Sequence, residues 1–172
     1  MVKKLGSKCL RLEGKVCVIA GGASVIGRAV ADRLMSEGAV VAGIDQEEHT
    51  TGSLSMIADL GNESEVENVF ARIHKKTGRI DFLYNNAGAV SSEDKSVMNT
   101  TTETLDRIFA ANFRTAWLCC KHCVPFMLRN DPPSGSIVNS SSFVRHTGRA
   151  CRHGGFPGER RFRIHHSFGI PN

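Results

Sequence analysis

Three groups of residues in this 172-residue chain are spaced as chemistry would need them. The first is a turn. Residues 17–27 read CVIAGGASVIG, an apolar run that breaks at Gly21 and Gly22 and reopens at Ser24 as the start of a helix. Glycines let the backbone turn tightly, and the N–H groups at the helix N-terminus then face a pyrophosphate. A glycine turn between strand and helix is equally ordinary loop chemistry, so the turn alone decides nothing. The second is an acid. Asp45, in VVAGIDQ, follows Gly21 by 24 residues, near the spacing at which a carboxylate accepts hydrogen bonds from an adenosine ribose. A carboxylate there repels a 2′-phosphate and favours NAD over NADP; the alternative is a solvated loop acid. The pair Asp59-Leu60 is placed to border an adenine in the same way. The third is YNNAG, residues 84–88, where Asn86, Ala87 and Gly88 suit either a tight turn or a cofactor lying across strand ends.

These residues need a scaffold that brings strand ends together. Short apolar runs at 15–20, 39–44, 54–58, 80–84 and 136–140 are strand-like, and helical periods lie between them, the pattern of βαβ units on a parallel sheet. Ile26, Val30 and Leu34 keep one helical stripe, and Val66, Val69, Phe70 and Ile73 keep another. Asn62, with Glu65 three residues later, is a helix cap before the second. The longest stripe runs through Leu105, Ile108, Phe109, Asn112, Ala116, Cys119 and Cys123. On periodicity alone Asn112 reads as a satisfied core asparagine. CCKHC at 119–123 looks like a metal cluster, but Cys119 and Cys123 extend the apolar stripe and no second ligand pair has zinc spacing, so the reading is structural thiols and no metal.

Taken together, AGGASVIG, IDQ, ADL, NNAG, Asn112 in FAANFRTAW and GSIVNSSS occur in an order that resembles the short-chain dehydrogenase/reductase family over residues 10 to about 144. The resemblance implies a three-layer doubly wound α/β Rossmann domain with parallel strand order 3-2-1-4-5. It also implies NAD as cofactor and hydride exchange with an alcohol or ketone. Ile26 and Gly27 join Gly21 and Ser24 at the cofactor by this resemblance, and Asn112 and Ser142 take two catalytic positions, Ser142 holding the carbonyl oxygen. Three departures stand out, the first being Ala20, where the family's pattern begins with threonine. Val25 occupies a place where the family has a small residue, and a β-branched side chain there is expected to obstruct the phosphate cradle. The family's Tyr-x-x-x-Lys is absent as well. The only tyrosine is Tyr84, and counting 13 or 14 residues from Ser142 reaches Gly155 or Phe156, with Glu159 or Arg160 four further on.

The net charge of +5 suggests a polyanion partner until it is divided along the chain. Residues 1–142 carry 16 Lys+Arg and 16 Asp+Glu, whereas 143–172 carry six Arg and the single acid Glu159. The excess lies in a basic, His- and Gly-rich tail that lacks lysine and any repeated basic period, so solvated chain is the expectation and no nucleic acid, with RNA or an acidic surface as the alternative. With no long apolar run and six scattered cysteines, the expectation is a cytoplasmic chain with reduced thiols and no membrane association. Residues 1–142 are expected to form the Rossmann domain and 143–172 a poorly ordered tail. By resemblance the domain is C-terminally truncated. The family continues for roughly 80 residues more, dimerising helices included, so the family's oligomer is not expected. Brief proteolysis should trim the chain beyond about residue 145 before it cuts the 1–142 core. Loss of core and tail at one rate, followed by mass spectrometry, would contradict that division.

Overall fold

The computed structural model describes residues 10–89 and 97–141; Ser142 and the basic tail lie outside the described residues. Five strands, β1 (Val16–Ala20), β2 (Val40–Asp45), β3 (Leu54–Ile57), β4 (Phe82–Asn85) and β5 (Ser136–Asn139), form one parallel sheet in the order β3-β2-β1-β4-β5. Between them run α1 (Val25–Ser36), α2 (Glu63–Thr77), α3 (Thr102–Phe109) and α4 (Thr115–Met127). The expected Rossmann order is the observed one.

The central strand explains why the sheet is parallel and covered. All five residues of β1, VCVIA, are buried, as a strand packed on both faces requires. Its side chains alternate between two cores. Val18 and Ala20 face α2 and α4 together with Ile44, Leu83, Phe70 and Leu118, while Cys17 and Ile19 face α1 together with Ala31 and Val41. Each fully buried large side chain contributes roughly 1.5–3 kcal/mol. The parallel register sets Ala20 opposite Ile44 on one side and Asn85 on the other, so the carboxyl ends of β1, β2 and β4 finish level.

The helices begin and end where side chains satisfy their free backbone groups. Ser24 caps α1 by accepting from Gly27 N–H, and Asn62 caps α2 by accepting from Ser64 N–H. Glu65 reaches back to the cap as expected, taking the Asp59 N–H at 2.8 Å and the Asn62 amide at 3.1 Å. Helix α2 carries Glu63 and Glu65 in its first turn and His74, Lys75 and Lys76 in its last, matching its dipole, and it stops at Gly78 in the left-handed conformation.

One expectation is corrected. The long third helix is not a single α-helix, because Ala110–Arg114 form a π-helical turn between α3 and α4. The wider turn changes the phase of the stripe. Thr104, Thr115, Leu118, Cys119, Cys123 and Met127 are buried, whereas Leu105, Phe109, Phe113 and Trp117 form an exposed apolar stripe, each about half to two-thirds accessible. Asn112 is likewise exposed. Cys119 and Cys123 are core residues; burial pushes the Cys119 thiol up to about 12 and raises Cys123 further.

The lower end of the sheet is held by Asp81, just before β4. Its carboxylate accepts from Val16 N–H at 2.9 Å, Lys15 Nζ at 3.1 Å and Arg79 Nε at 2.8 Å. Burial alone would raise this carboxyl, but Arg79, the Val16 amide and Lys15 hold it below the usual range. A depressed folded-state pKa gives stability that is present above the unfolded pKa of about 3.9 and lost as pH falls through the folded value. Asp81→Ala should therefore cost about 2 kcal/mol in urea denaturation at neutral pH. The gap from the wild type should narrow below about pH 4; a gap independent of pH would assign the loss to packing.

Candidate functional site

A cleft of about 410 Å³ opens at the carboxyl ends of the strands, where ligands bind in open parallel sheets. Its floor is the glycine turn. Gly21 has φ +90°, and a Cβ there would lie 2.7 Å from Ala87 N, so only glycine lets the end of β1 meet the segment after β4. Gly27, in the first turn of α1, is equally constrained, because a Cβ would collide with the Gly21 carbonyl oxygen. Ser24 joins the two, its Oγ donating to Gly21 O at 2.8 Å and accepting from Gly27 N–H at 2.9 Å.

Asp45 closes one wall. Its Oδ2 accepts from Ala23 N–H and its Oδ1 from Gln46 N–H, both at 2.9 Å. Each carboxylate oxygen keeps a further lone pair for a donor in the cleft. On the opposite wall Asn86 donates Nδ2–H to Ser24 Oγ at 2.8 Å, and the Tyr84 hydroxyl donates to Asn86 Oδ1 at 3.3 Å. The far end of β3 brings Asp59 and Leu60 to the rim. Asp59 fixes its own turn by accepting from Gly61 N–H at 2.8 Å.

Of the residues expected at a cofactor, Gly21, Ser24, Asp45, Asp59, Leu60, Asn86, Ala87 and Gly88 all line this one cleft. Ile26 and Gly27 do not line it. Ile26 is exposed on α1, and Gly27 acts beneath the turn. Val25, at the start of α1, is 87% exposed and is not among the residues that line the cleft. Asn112 stands beside the cleft and clamps its wall, accepting from Ala89 N–H at 3.1 Å while donating to Ala89 O at 2.9 Å and Ile108 O at 3.0 Å. The π-helical turn places it there. Ser142, the other expected catalytic residue, lies outside the described residues.

Arg107, Ala110, Ala111 and Thr115 line the cleft too and were not expected from sequence. Ala110 and Ala111 belong to the π-helical turn, which has no reliable sequence mark, and Arg107 and Thr115 flank it on α3 and α4. Among the described residues no group of three His, Cys, Asp or Glu side chains is arranged to hold a metal ion, and no helix is long and apolar enough to cross a membrane.

A family model described as short chain dehydrogenase matches residues 15–153. The chain belongs to the short-chain dehydrogenase family. Within it, the uncharacterized oxidoreductase YxbG of Bacillus subtilis is 38% identical over 153 residues, covering 82% of this chain and 54% of that protein. A 3beta-hydroxysteroid dehydrogenase of Mediterraneibacter gnavus is 32% identical, covering 77% and 51%. Among solved structures, NAD+-bound xylitol dehydrogenase superposes with a TM-score of 0.69 at 28% identity, over 77% of this chain and 54% of that one. Thermoplasma acidophilum aldohexose dehydrogenase gives 0.67 at 29%, over 77% and 51%. The chain spans about half the length of the curated relatives it matches.

The two tight glycines differ in what they oppose, and this sets their sensitivity. Alanine normally gains about 1 kcal/mol over glycine inside a helix. At Gly27 the gain should reverse to a loss of about 2–3 kcal/mol, because a carbonyl of the turn blocks the methyl. Gly88→Ala meets the Asn112 side-chain oxygen at 2.6 Å, which yields by giving up its hydrogen bond from Ala89 N–H, and should cost about 1–1.5 kcal/mol. Chemical denaturation of both variants checks the order.

Proposed function

We propose that this chain is the dinucleotide-binding half of an oxidoreductase that exchanges hydride between NAD(H) and a small alcohol or ketone. The observation that carries the reading is Asp45. It ends β2 on the wall of the cleft, holds the glycine turn through Ala23 N–H, and is followed by the neutral Gln46. A carboxylate only accepts hydrogen bonds, so it pairs with ribose hydroxyls and repels a 2′-phosphate. Asp59 and Leu60 border the adenine at the far rim, and the amides at the start of α1 face the pyrophosphate. When bound, the nicotinamide ring supplies or accepts the hydride.

The chain's own part in the proton transfer is incomplete. Ser142 is assigned to hold the carbonyl oxygen, and Asn112 to fix the wall beside it. A proton donor must stand within hydrogen-bond reach of the reacting oxygen. Tyr84, the only tyrosine, belongs to β4 and gives its proton to Asn86 instead. The absence of a Tyr-x-x-x-Lys favours a second reading for the isolated chain, that of a nucleotide-binding module without turnover.

Calorimetric titration should give NADH an affinity at least about tenfold above NADPH, a difference of ~1.4 kcal/mol. Asp45→Ala should erase that preference. Equal affinities in the wild type, or a preference that survives Asp45→Ala, would overturn the assignment. NADH formation over a broad alcohol panel should stay at background for this chain, and turnover that depends on Ser142 would refute the second reading.

A further inference from the structure

The two glycines of the turn do different work. Gly21 has a left-handed backbone, but Gly22 is glycine for want of room. A Cβ on Gly22 would lie 3.1 Å from both Gly43 Cα and His49 Cε1. One on Gly43 would lie 2.8 Å from the same imidazole carbon and 2.9 Å from Thr51 O. The segment between β2 and β3 has folded back beneath the turn, and the His49 ring fills the space that two absent side chains leave.

This brings Thr51 under the turn as well. It is buried, and its Oγ1 donates to Gly22 O at 2.8 Å. The N–H of the next residue, Ala23, donates to Asp45 Oδ2 at 2.9 Å. Gly22 C=O and Ala23 N–H belong to one peptide plane, so that plane is held from both sides, its oxygen by Thr51 and its hydrogen by Asp45. Neither Gly22 nor Thr51 lines the cleft, so the carbonyl is kept on the side away from it. His49 in turn fixes Thr51, its Nδ1 accepting from Thr51 N–H at 3.2 Å while Nε2 meets Met56 O at 3.4 Å.

A peptide that follows glycine rotates more freely than any other. Turned over, this one would set its carbonyl oxygen against the Asp45 carboxylate and on the side where a phosphate approaches, and both contacts are repulsive. We propose that Thr51 is a positioning residue for the dinucleotide site, locking the Gly22–Ala23 peptide so that its carbonyl stays away from the phosphates. The proposal rests on the nucleotide-binding reading above.

The test compares Thr51→Val, which keeps the shape and loses the hydroxyl, with Thr51→Ser, which keeps the hydroxyl, in the full 172-residue chain. Hydrogen exchange of the ligand-free protein reads the peptide directly, and calorimetry with ADP and with adenosine reads the site. Thr51→Val should speed exchange at Ala23 by about tenfold and weaken ADP by about tenfold, clearly more than adenosine, whose ribose feels the peptide only through Asp45. Thr51→Ser should match the wild type in all three. Wild-type exchange at Ala23 in Thr51→Val would overturn the proposal, as would equal weakening of ADP and adenosine, which marks a merely structural residue. If Thr51→Val does not fold by circular dichroism, Thr51→Ala takes its place under the same criteria. A wild-type chain that binds neither ADP nor NADH would defeat the nucleotide-binding reading itself and this proposal with it. Binding by the wild type with no response to Thr51→Val would defeat the proposal alone.

Discussion

The site depends on one close approach, that of Gly21 to the backbone at Ala87. Where β1 and β4 end, the two chains come nearer than any side chain would allow, since a Cβ on Gly21 would stand 2.7 Å from Ala87 N and 2.9 Å from its Cα. Because β1 is the middle strand of the order β3-β2-β1-β4-β5, this contact joins the two halves of the sheet at the point where their connections diverge. Asn86 then reaches across it to Ser24 and the Gly21 carbonyl, so the helix cap and the strand end are one hydrogen-bonded unit. A larger residue at position 21 would separate the walls before it touched any ligand.

What the sequence made legible follows from this geometry. Apolar runs such as VCVIA mark where the strands lie, while the strand order and the roles of the turn and Asp45 came from the joint order of motifs that resembles the family. The sequence is silent where a local irregularity decides the outcome. Leu105 and Phe109 carry the helical period of a buried stripe, yet the π-helical turn at Ala110–Arg114 turns Thr104 and Thr115 inward instead. Hydrophobicity was the wrong guide to that face, because Thr104 and Thr115 are buried there while Leu105 and Phe109 are exposed. Arg107, Ala111 and Thr115, in and around that turn, line the cleft.

The β2–β3 segment was hidden for a different reason. Nothing in EEHTTGS suggests a role, Gly22 reads as a turn residue, and Gly43 is one position of the 39–44 strand run. Only their shared neighbour, the His49 ring, shows them to be two sides of one cavity filled from elsewhere in the chain. Non-local complementarity of this kind leaves no period and no spacing to detect.

The sheet is clothed unevenly. Among the described residues, one face carries both α2 and α4, while the other is covered by α1, over β1 and β2. On that second face Phe82 and Tyr84 are only partly buried and Val138, on the edge strand β5, is 41% exposed. The free energy of opening any region of a fold rises with the apolar surface that region buries. Here it should descend in steps from β1 and β2 toward β5, so that the adenosine end of the cleft, framed by Asp45 and Gly21, keeps its shape through fluctuations that part β5 from β4. Within the described residues, the two ends of a single binding site thus rest on different amounts of buried apolar surface, and the adenosine end stands on the larger.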